Sequence, residues 1–363
     1  MEDFPPDKFN PNKVVGLTSH GDTCYINSML QLLYHCSLLN MLLFEHKEVF
    51  KSSSDELTNA YINFLVTYNE TKDKKSFEPG KIYSLINAGM RANEEEYNVS
   101  RCLQIVIKNL YDNITKLKHT ININGYKYSL KKLFNHLFYY KYNITKKCNT
   151  CNGSIIEHDH LHTIIEPNIV SDSVLNEMIA KIPRNMSKEQ IQEQIQEQIQ
   201  EQIQAQLNQK IQEKQPDSPE YHHDNITTIL DNFGEKINLL QKCNSCKKDT
   251  NHIQYLNITN TPKYFIIAPK RSITIKYKEQ DYDIKLKCNI AAPLTLTTFN
   301  KTYILRGFIY KDNICYIYDG TKTTMEEGRG GDRGYTHADY NITNYSTHSL
   351  NRNKADVYLY VCL

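Results

Sequence analysis

Gly16-Leu17-Thr18-Ser19-His20-Gly21-Asp22-Thr23-Cys24-Tyr25-Ile26-Asn27-Ser28-Met29-Leu30-Gln31 holds the decisive change of pattern in this chain. A turn-rich run passes directly into residues with helical spacing. Ile26, Met29, Leu30 and Leu33 recur at three- and four-residue steps, and Asp22 or Thr23 is placed to cap the start. The spacing predicts a helix from Thr23 to Leu43 with Cys24 in its first turn. Free backbone N–H groups and the helix dipole at that position favour a thiolate. The same N–H groups can hold an oxyanion during acyl transfer. Cys24 is therefore a candidate nucleophile if a histidine reaches it in space. On placement alone, the pattern suits a small buried apolar residue somewhat better.

Working outward, residues 1–15 read as an extended lead-in, and further helical spacing falls near 55–68 and 99–112. Residues 128–140 mix helix and strand signals. Beyond about 141, short β-branched and aromatic runs dominate. They include 264–267, 272–277, 303–310, 314–318 and 357–361. A helical first part followed by a β-rich second part predicts an α+β fold. From Glu189 to Gln204 the motif E-Q-I-Q repeats four times. Ser187 with Gln190 could form a capping box. Isoleucine every fourth residue overshoots each helical turn by about 40°, so the apolar stripe winds around the helix. The tract reads as a low-complexity helical insert over 185–220, ending at Pro216-Asp-Ser-Pro219. Helix 187–213 is either solvated or a surface for a partner or a second copy.

The 363 residues suffice for a sizeable core. With 43 basic against 41 acidic groups, there is no net field to recruit nucleic acid or an anionic membrane. No apolar run is long enough to span a bilayer, and the N-terminus lacks the features of a signal peptide. An intracellular setting, cytoplasmic or nuclear, is expected. Several N-I-T triplets are therefore discounted as glycosylation sites. Ten cysteines are too few for a disulfide scaffold at this length. Four of them form the pairs Cys148-Asn-Thr-Cys151 and Cys243-Asn-Ser-Cys246, each on a short turn. Two such knuckles supply the thiolate tetrahedron of a structural Zn²⁺ site, despite the long excursion between them. His158, His160 and His162 alternate on one predicted strand and read as surface residues beside two complete thiolate pairs. A zinc-ribbon nucleic-acid binder would share the knuckles but needs a basic field.

The segment 16–31 resembles the cysteine box of the ubiquitin-specific proteases, a papain-like family. That box reads G-L-x-N-x-G-N-x-C-Y-x-N-S-x-L-Q. Gly16, Leu17, Gly21, Cys24, Tyr25, Asn27, Ser28, Leu30 and Gln31 match it. Ser19 stands where the family has its oxyanion-hole Asn, and Asp22 where it has another Asn. A weakened oxyanion donor costs roughly 10²–10³ in rate. Pro262-Lys-Tyr-Phe-Ile-Ile-Ala-Pro-Lys-Arg271 resembles the family's strand after the second knuckle. Ala355-Asp-Val-Tyr-Leu-Tyr360 resembles its closing strand. Asn98-Val-Ser-Arg-Cys-Leu103 takes the place of its D-A-x-E-F-L helix without the acids. The resemblance spans about residues 14–363, less the insert.

It implies a papain-like fold with a helical thumb (about 16–125) and a β-rich palm with zinc-ribbon fingers (about 126–363). The domain would run over 16–363. It also implies a thiol-dependent deubiquitinase that needs no catalytic cofactor and acts after the C-terminal glycine of ubiquitin or a ubiquitin-like modifier. The partner implied is ubiquitin or a ubiquitinated protein. Two alignments place the general base. If the strands at 303–310 and 314–318 pair tightly, Cys315 falls at the position of the family's histidine, and Asp339 is an orienting acid with nothing to orient. If 311–327 is an inserted hairpin, Gly328–Gly334 becomes the family's glycine-rich loop and His337 the base. Asn351 and Asn353 are lesser candidates for the third member, and His348 for the base. The first alignment implies a catalytically silent ubiquitin-binding scaffold.

Overall fold

The computed structural model describes residues 9–10, 15–18, 24–51, 55–71, 78–92, 99–117, 119–123, 125–169, scattered positions between 175 and 198, 225–233, 236–277, 280–285, 290, 292–310, 314–318, 324–329, 343–344 and 355–363. No helix among them is long and apolar enough to cross a membrane.

The first helix, α1 (Cys24–Tyr34), starts where the pattern changes, and Ile26, Met29, Leu30 and Leu33 are all buried. It does not run on to Leu43 as expected. The backbone tightens through N–H groups of His35 and Cys36 bonding back to Leu32 and Leu33, and α2 (Ser37–Glu45) begins afresh. Asn40 fixes the break. Its buried amide donates to the Leu33 and Tyr34 carbonyls at 2.8 and 2.6 Å and accepts from the Tyr61 hydroxyl at 2.9 Å. These carbonyls are the orphans that any helix end must satisfy.

Four helices complete the helical layer: α3 (Lys47–Lys51), α4 (Glu56–Glu70), α5 (Lys81–Ala92) and α6 (Val99–Lys116). Asp55 caps α4 by accepting from the Thr58 N–H at 2.7 Å. In α6, Val99, Cys102, Leu103, Val106, Ile107 and Leu110 form a buried helical stripe against α1, α4 and α5. The mixed signals near 128–140 resolve into three consecutive elements. A hairpin, β1 (Thr120–Ile123) with β2 (Tyr126–Ser129), leads into α7 (Leu130–Phe138), which Ser129 caps, and then into β3 (Tyr140–Cys148).

Two sheets follow. The smaller is antiparallel: β4 (Ser154–His162), β3 (Tyr140–Cys148), β7 (Asp249–Asn260) and β6 (Ile237–Lys242), in that order. The larger has the order β15 (Thr343–Asn344), β14 (Thr324–Arg329), β13 (Ile314–Tyr318), β12 (Lys301–Tyr310), β16 (Ala355–Cys362), β8 (Tyr264–Ile267), β5 (Ile164–Ile165). β11 (Thr295–Thr298) also pairs with β12. β9 (Ser272–Tyr277) and β10 (Gln280–Lys285) form a separate hairpin.

The middle of the larger sheet is buried on both faces. Val357 and Leu359 of β16 join the helical core. Tyr358 and Tyr360 join a second core with Phe265, Leu305 and the buried residues Ile226, Ile229 and Leu230 of α8 (Asn225–Phe233). That alternation is the two-residue period of a strand. The lead-in takes part in the core: Phe9 is buried against the rings of Tyr34 and Phe44 at 5.4 and 5.7 Å.

Candidate active site and metal centre

The polar residues of the segment that opens α1 tie the lead-in to the helix. Gln31 is buried; its amide donates to the Val15 carbonyl at 2.6 Å and accepts from the Tyr68 hydroxyl at 2.6 Å. The same hydroxyl accepts from the Val15 N–H at 2.8 Å. Asn27 is buried too, and its amide reaches the Thr18 carbonyl at 3.4 Å. The Tyr83 hydroxyl of α5 donates to that carbonyl at 2.7 Å and sits against the Asn27 amide. Tyr25 bonds Asn87 of α5 at 2.6 Å. Residues 15–18 are thus pinned along α1. Sequence reasoning missed Tyr68 and Tyr83, because only the fold brings α4 and α5 against this segment.

α1 packs on β12 and β13. β12 and β13 pair from Tyr310↔Ile314 through Gly307↔Ile317, so only residues 311–313 connect them. The tight pairing expected as one alternative therefore occurs. Cys315 lies opposite Ile309 on β12 and Gly328 on β14, buried in the helical core, where desolvation pushes its thiol far up. Residues 314–318 and 324–329 extend the large sheet as β13 and β14, and Gly328 lies within β14. Ser19, His337, Asp339, His348, Asn351 and Asn353 lie outside the described residues, as do Ser187 and the 216–219 linker. Among the E-Q-I-Q positions, the described residues 190, 193, 194, 197 and 198 are helical.

The metal-ligand prediction comes together in space. Pairing of β3 with β7 sets Cys148 opposite His252 and closes the long excursion between the knuckles. The Sγ atoms of Cys148, Cys151, Cys243 and Cys246 all lie within 4.8 Å of one another, and the Cys151–Cys243 separation is 3.6 Å. Zn–S bonds near 2.3 Å give a tetrahedral edge of about 3.8 Å, so the donor set fits Zn²⁺ in both chemistry and size. This is a structural zinc site; bound there, the ion cross-links two hairpins.

The two knuckles share one local design. Cys148 N–H bonds the Gly153 carbonyl and Cys243 N–H the Lys248 carbonyl, both at 2.9 Å. Asn152 (φ 57°) and Lys247 (φ 59°) take the left-handed turn position. Gly153 packs against the opposite knuckle: a Cβ there would meet Ser245 Oγ at 3.0 Å and Cys151 Sγ at 3.3 Å.

Two residues that sequence reasoning did not name complete the surroundings. The Thr250 hydroxyl lies 3.1 Å from Cys148 Sγ and, with the backbone N–H of Cys151, pulls that thiol down to about 5. Backbone N–H groups of Cys246 and Ser245 bring Cys243 to about 7. His252 is buried and donates from Nδ1 to the Thr250 carbonyl at 3.0 Å. Burial opposes its charge, but its bond to Cys243 and the nearby thiols outweigh this and hold its pKa above the ordinary value. Hydrogen bonds of this kind orient metal ligands. His158, His160 and His162 stay on β4, outside the four-sulfur group. A bulge between Tyr142 and Ile144, with Asp159 at φ 60°, interrupts their alternation.

A helical layer over a central β palm, with a metal-closed β module beside it, defines the papain-like cysteine-protease fold with thumb, palm and fingers. The sequence profile of ubiquitin carboxyl-terminal hydrolases matches residues 15–349, and the chain belongs to that family. No curated protein matches it significantly. Among solved structures it is similar to the SAGA DUB module of Ubp8, Sgf11, Sus1 and Sgf73 bound to monoubiquitin. There the TM-score is 0.60 at 14% identity, covering 96% of this chain and 69% of the other. It is also similar to the yeast SAGA DUB module carrying a mutant Sgf73, with TM-score 0.58, 14% identity, and 96% and 68% covered.

Proposed function

We propose that this protein is a thiol-dependent deubiquitinase. The observation that carries the reading is the start of α1 at Cys24, with residues 15–18 held along the helix, in a chain of this hydrolase family. Cys24 attacks the carbonyl carbon of the C-terminal glycine of ubiquitin or a ubiquitin-like modifier, forming a thioester as the bond to the amine breaks. The thiol proton passes to the base, the amine leaves with a proton, and water resolves the thioester. His337 is the candidate base, Asp339 the candidate orienting acid, and Ser19 an oxyanion donor. The catalytic domain comprises residues 16–363, with the thumb to about 125 and the 185–220 insert free for a partner or a second copy. The fold-mate bound to monoubiquitin supports ubiquitin as partner, and an intracellular place, cytoplasmic or nuclear, follows from that substrate.

One observation favours a second reading. The short β12–β13 connection and the burial of Cys315 support the alignment in which Cys315 replaces the family histidine, which suits a ubiquitin-binding scaffold without catalysis. A ubiquitin bearing a C-terminal electrophile separates the two. The enzyme reading expects an adduct that Cys24→Ala abolishes, and cleavage of a fluorogenic ubiquitin substrate that His337→Ala slows by at least about 10². Folded protein that binds ubiquitin yet forms no adduct is the scaffold.

A further inference from the structure

One donor more than a closed zinc site needs stands beside the four cysteines. His252 lies outside the four-sulfur group, on β7, opposite Cys148 on β3 and Leu239 on β6. Residues opposite one another share a face of a sheet, and Thr250, two residues earlier, shares it too. The His252 ring is 2% exposed, so it is held between the strands and the knuckles. Its two nitrogens are divided. Nδ1 lies 3.0 Å from the Thr250 carbonyl and donates to it, which leaves Nε2 for the bond to Cys243. Histidines that hold metals are set in this way. One ring nitrogen donates to a carbonyl, which fixes the ring, and the other faces the ion.

The surroundings of the sulfurs are uneven. The Thr250 hydroxyl attends Cys148 at 3.1 Å, whereas the imidazole is bonded to Cys243. The Cys243 sulfur therefore lies between Nε2 and the place of the ion. Three thiolates with one imidazole close a structural zinc site as four thiolates do, and a Zn–N bond of about 2.0–2.1 Å stands in for a Zn–S bond of about 2.3 Å. We propose that His252 is a reserve zinc ligand: when the Cys243 sulfur is withdrawn, Nε2 takes the metal and the site passes from four thiolates to three thiolates and one imidazole. The proton in the Nε2–Cys243 bond stays with the departing sulfur. Nδ1 keeps its own, and Nε2 presents the lone pair that binds the metal. The strand pairing that carries Cys148 also carries His252, so the ring keeps its place when Cys243 lets go. The two hairpins thus stay cross-linked through the loss of one ligand.

The experiment measures metal in the full chain. Cys243→Ala and Cys246→Ala, each with and without His252→Phe, are equilibrated with a chromophoric zinc chelator, and Co²⁺ replaces Zn²⁺ for absorption spectra. Cys243→Ala should keep its metal, with the bands of tetrahedral Co²⁺ moved to shorter wavelength by the nitrogen donor and the sulfur charge-transfer band weakened. Adding His252→Phe, which keeps the bulk of the ring, should raise its zinc dissociation constant at least about a hundredfold. Cys246→Ala, whose sulfur the ring does not replace, should yield its zinc to the chelator. A His252 that merely orients the Cys243 sulfur would have nothing to act on in Cys243→Ala, and His252→Phe would change nothing there. That result overturns the proposal. So does a Cys243→Ala that holds no metal, a Co²⁺ spectrum without the nitrogen donor, or equal retention by Cys246→Ala. Circular dichroism checks each variant. Should Cys243→Ala not fold, Cys243→Ser repeats the comparison, and failure of both to fold with zinc present overturns the proposal as well. None of these readouts involves Cys24.

Discussion

Single buried polar groups carry consequences that their positions make measurable. Gln31 bridges the Val15 carbonyl and the Tyr68 hydroxyl. Gln31→Ala leaves both without that partner, so a loss of about 1–3 kcal/mol in chemical denaturation is expected. The same change loosens the hold of α1 on Val15, so adduct formation at Cys24 should slow even in protein that remains folded. His35 sets a pH dependence. Burial and the Arg306 charge push its folded pKa down to about 3, below the ordinary value of about 6.5. As pH falls below that ordinary value, the unfolded chain takes up a proton that the folded chain refuses. The contribution is therefore complete above about pH 6.5 and is lost progressively toward pH 3, by at most about 1.4 kcal/mol per unit. Urea melts from pH 7 down to 5 should show the unfolding free energy of His35→Gln falling less steeply than that of wild type. Parallel curves would mean that His35 titrates normally.

Among the elements, the two knuckle hairpins are coupled most tightly. Gly153 faces the opposite turn so closely that an added methyl meets the Ser245 hydroxyl oxygen. Gly153→Ala should speed zinc loss to a chelator, and the pair Gly153→Ala/Ser245→Ala should recover part of the difference, since the nearest contact is then gone. Equal rates for both would place the strain elsewhere. The knuckles are legible in the sequence: two C-x-x-C turns in a chain without a disulfide scaffold leave little but a metal. Their neighbours Thr250 and His252 are not. They lie on β7 and reach the sulfurs only through the β3–β7 register. The break between α1 and α2 is likewise hidden. Apolar spacing continues through it, and what stops the helix is Asn40 reaching back to two carbonyls.

At the scale of the whole molecule, zinc closes the small sheet, while two apolar clusters hold the large one. Chelation should therefore strip hydrogen-exchange protection from β3, β4, β6 and β7 and leave β8, β12 and β16 protected. Loss of protection in both sheets at one rate would mean a single cooperative unit. The residues alone determined the α+β order, a helix with Cys24 in its first turn, the four zinc ligands and the family resemblance, because each rests on local spacing or on a short motif whose chemistry permits few alternatives. Tertiary structure alone decided that β12 and β13 join by a short connection with Cys315 buried, that the lead-in is pinned by tyrosines from α4 and α5, and that a bulge at Arg306 lies beside the buried imidazole of His35. Those facts depend on strand register and on packing between distant segments. Register shifts by one residue reverse which side chains face inward, and packing against segments distant in sequence decides between them.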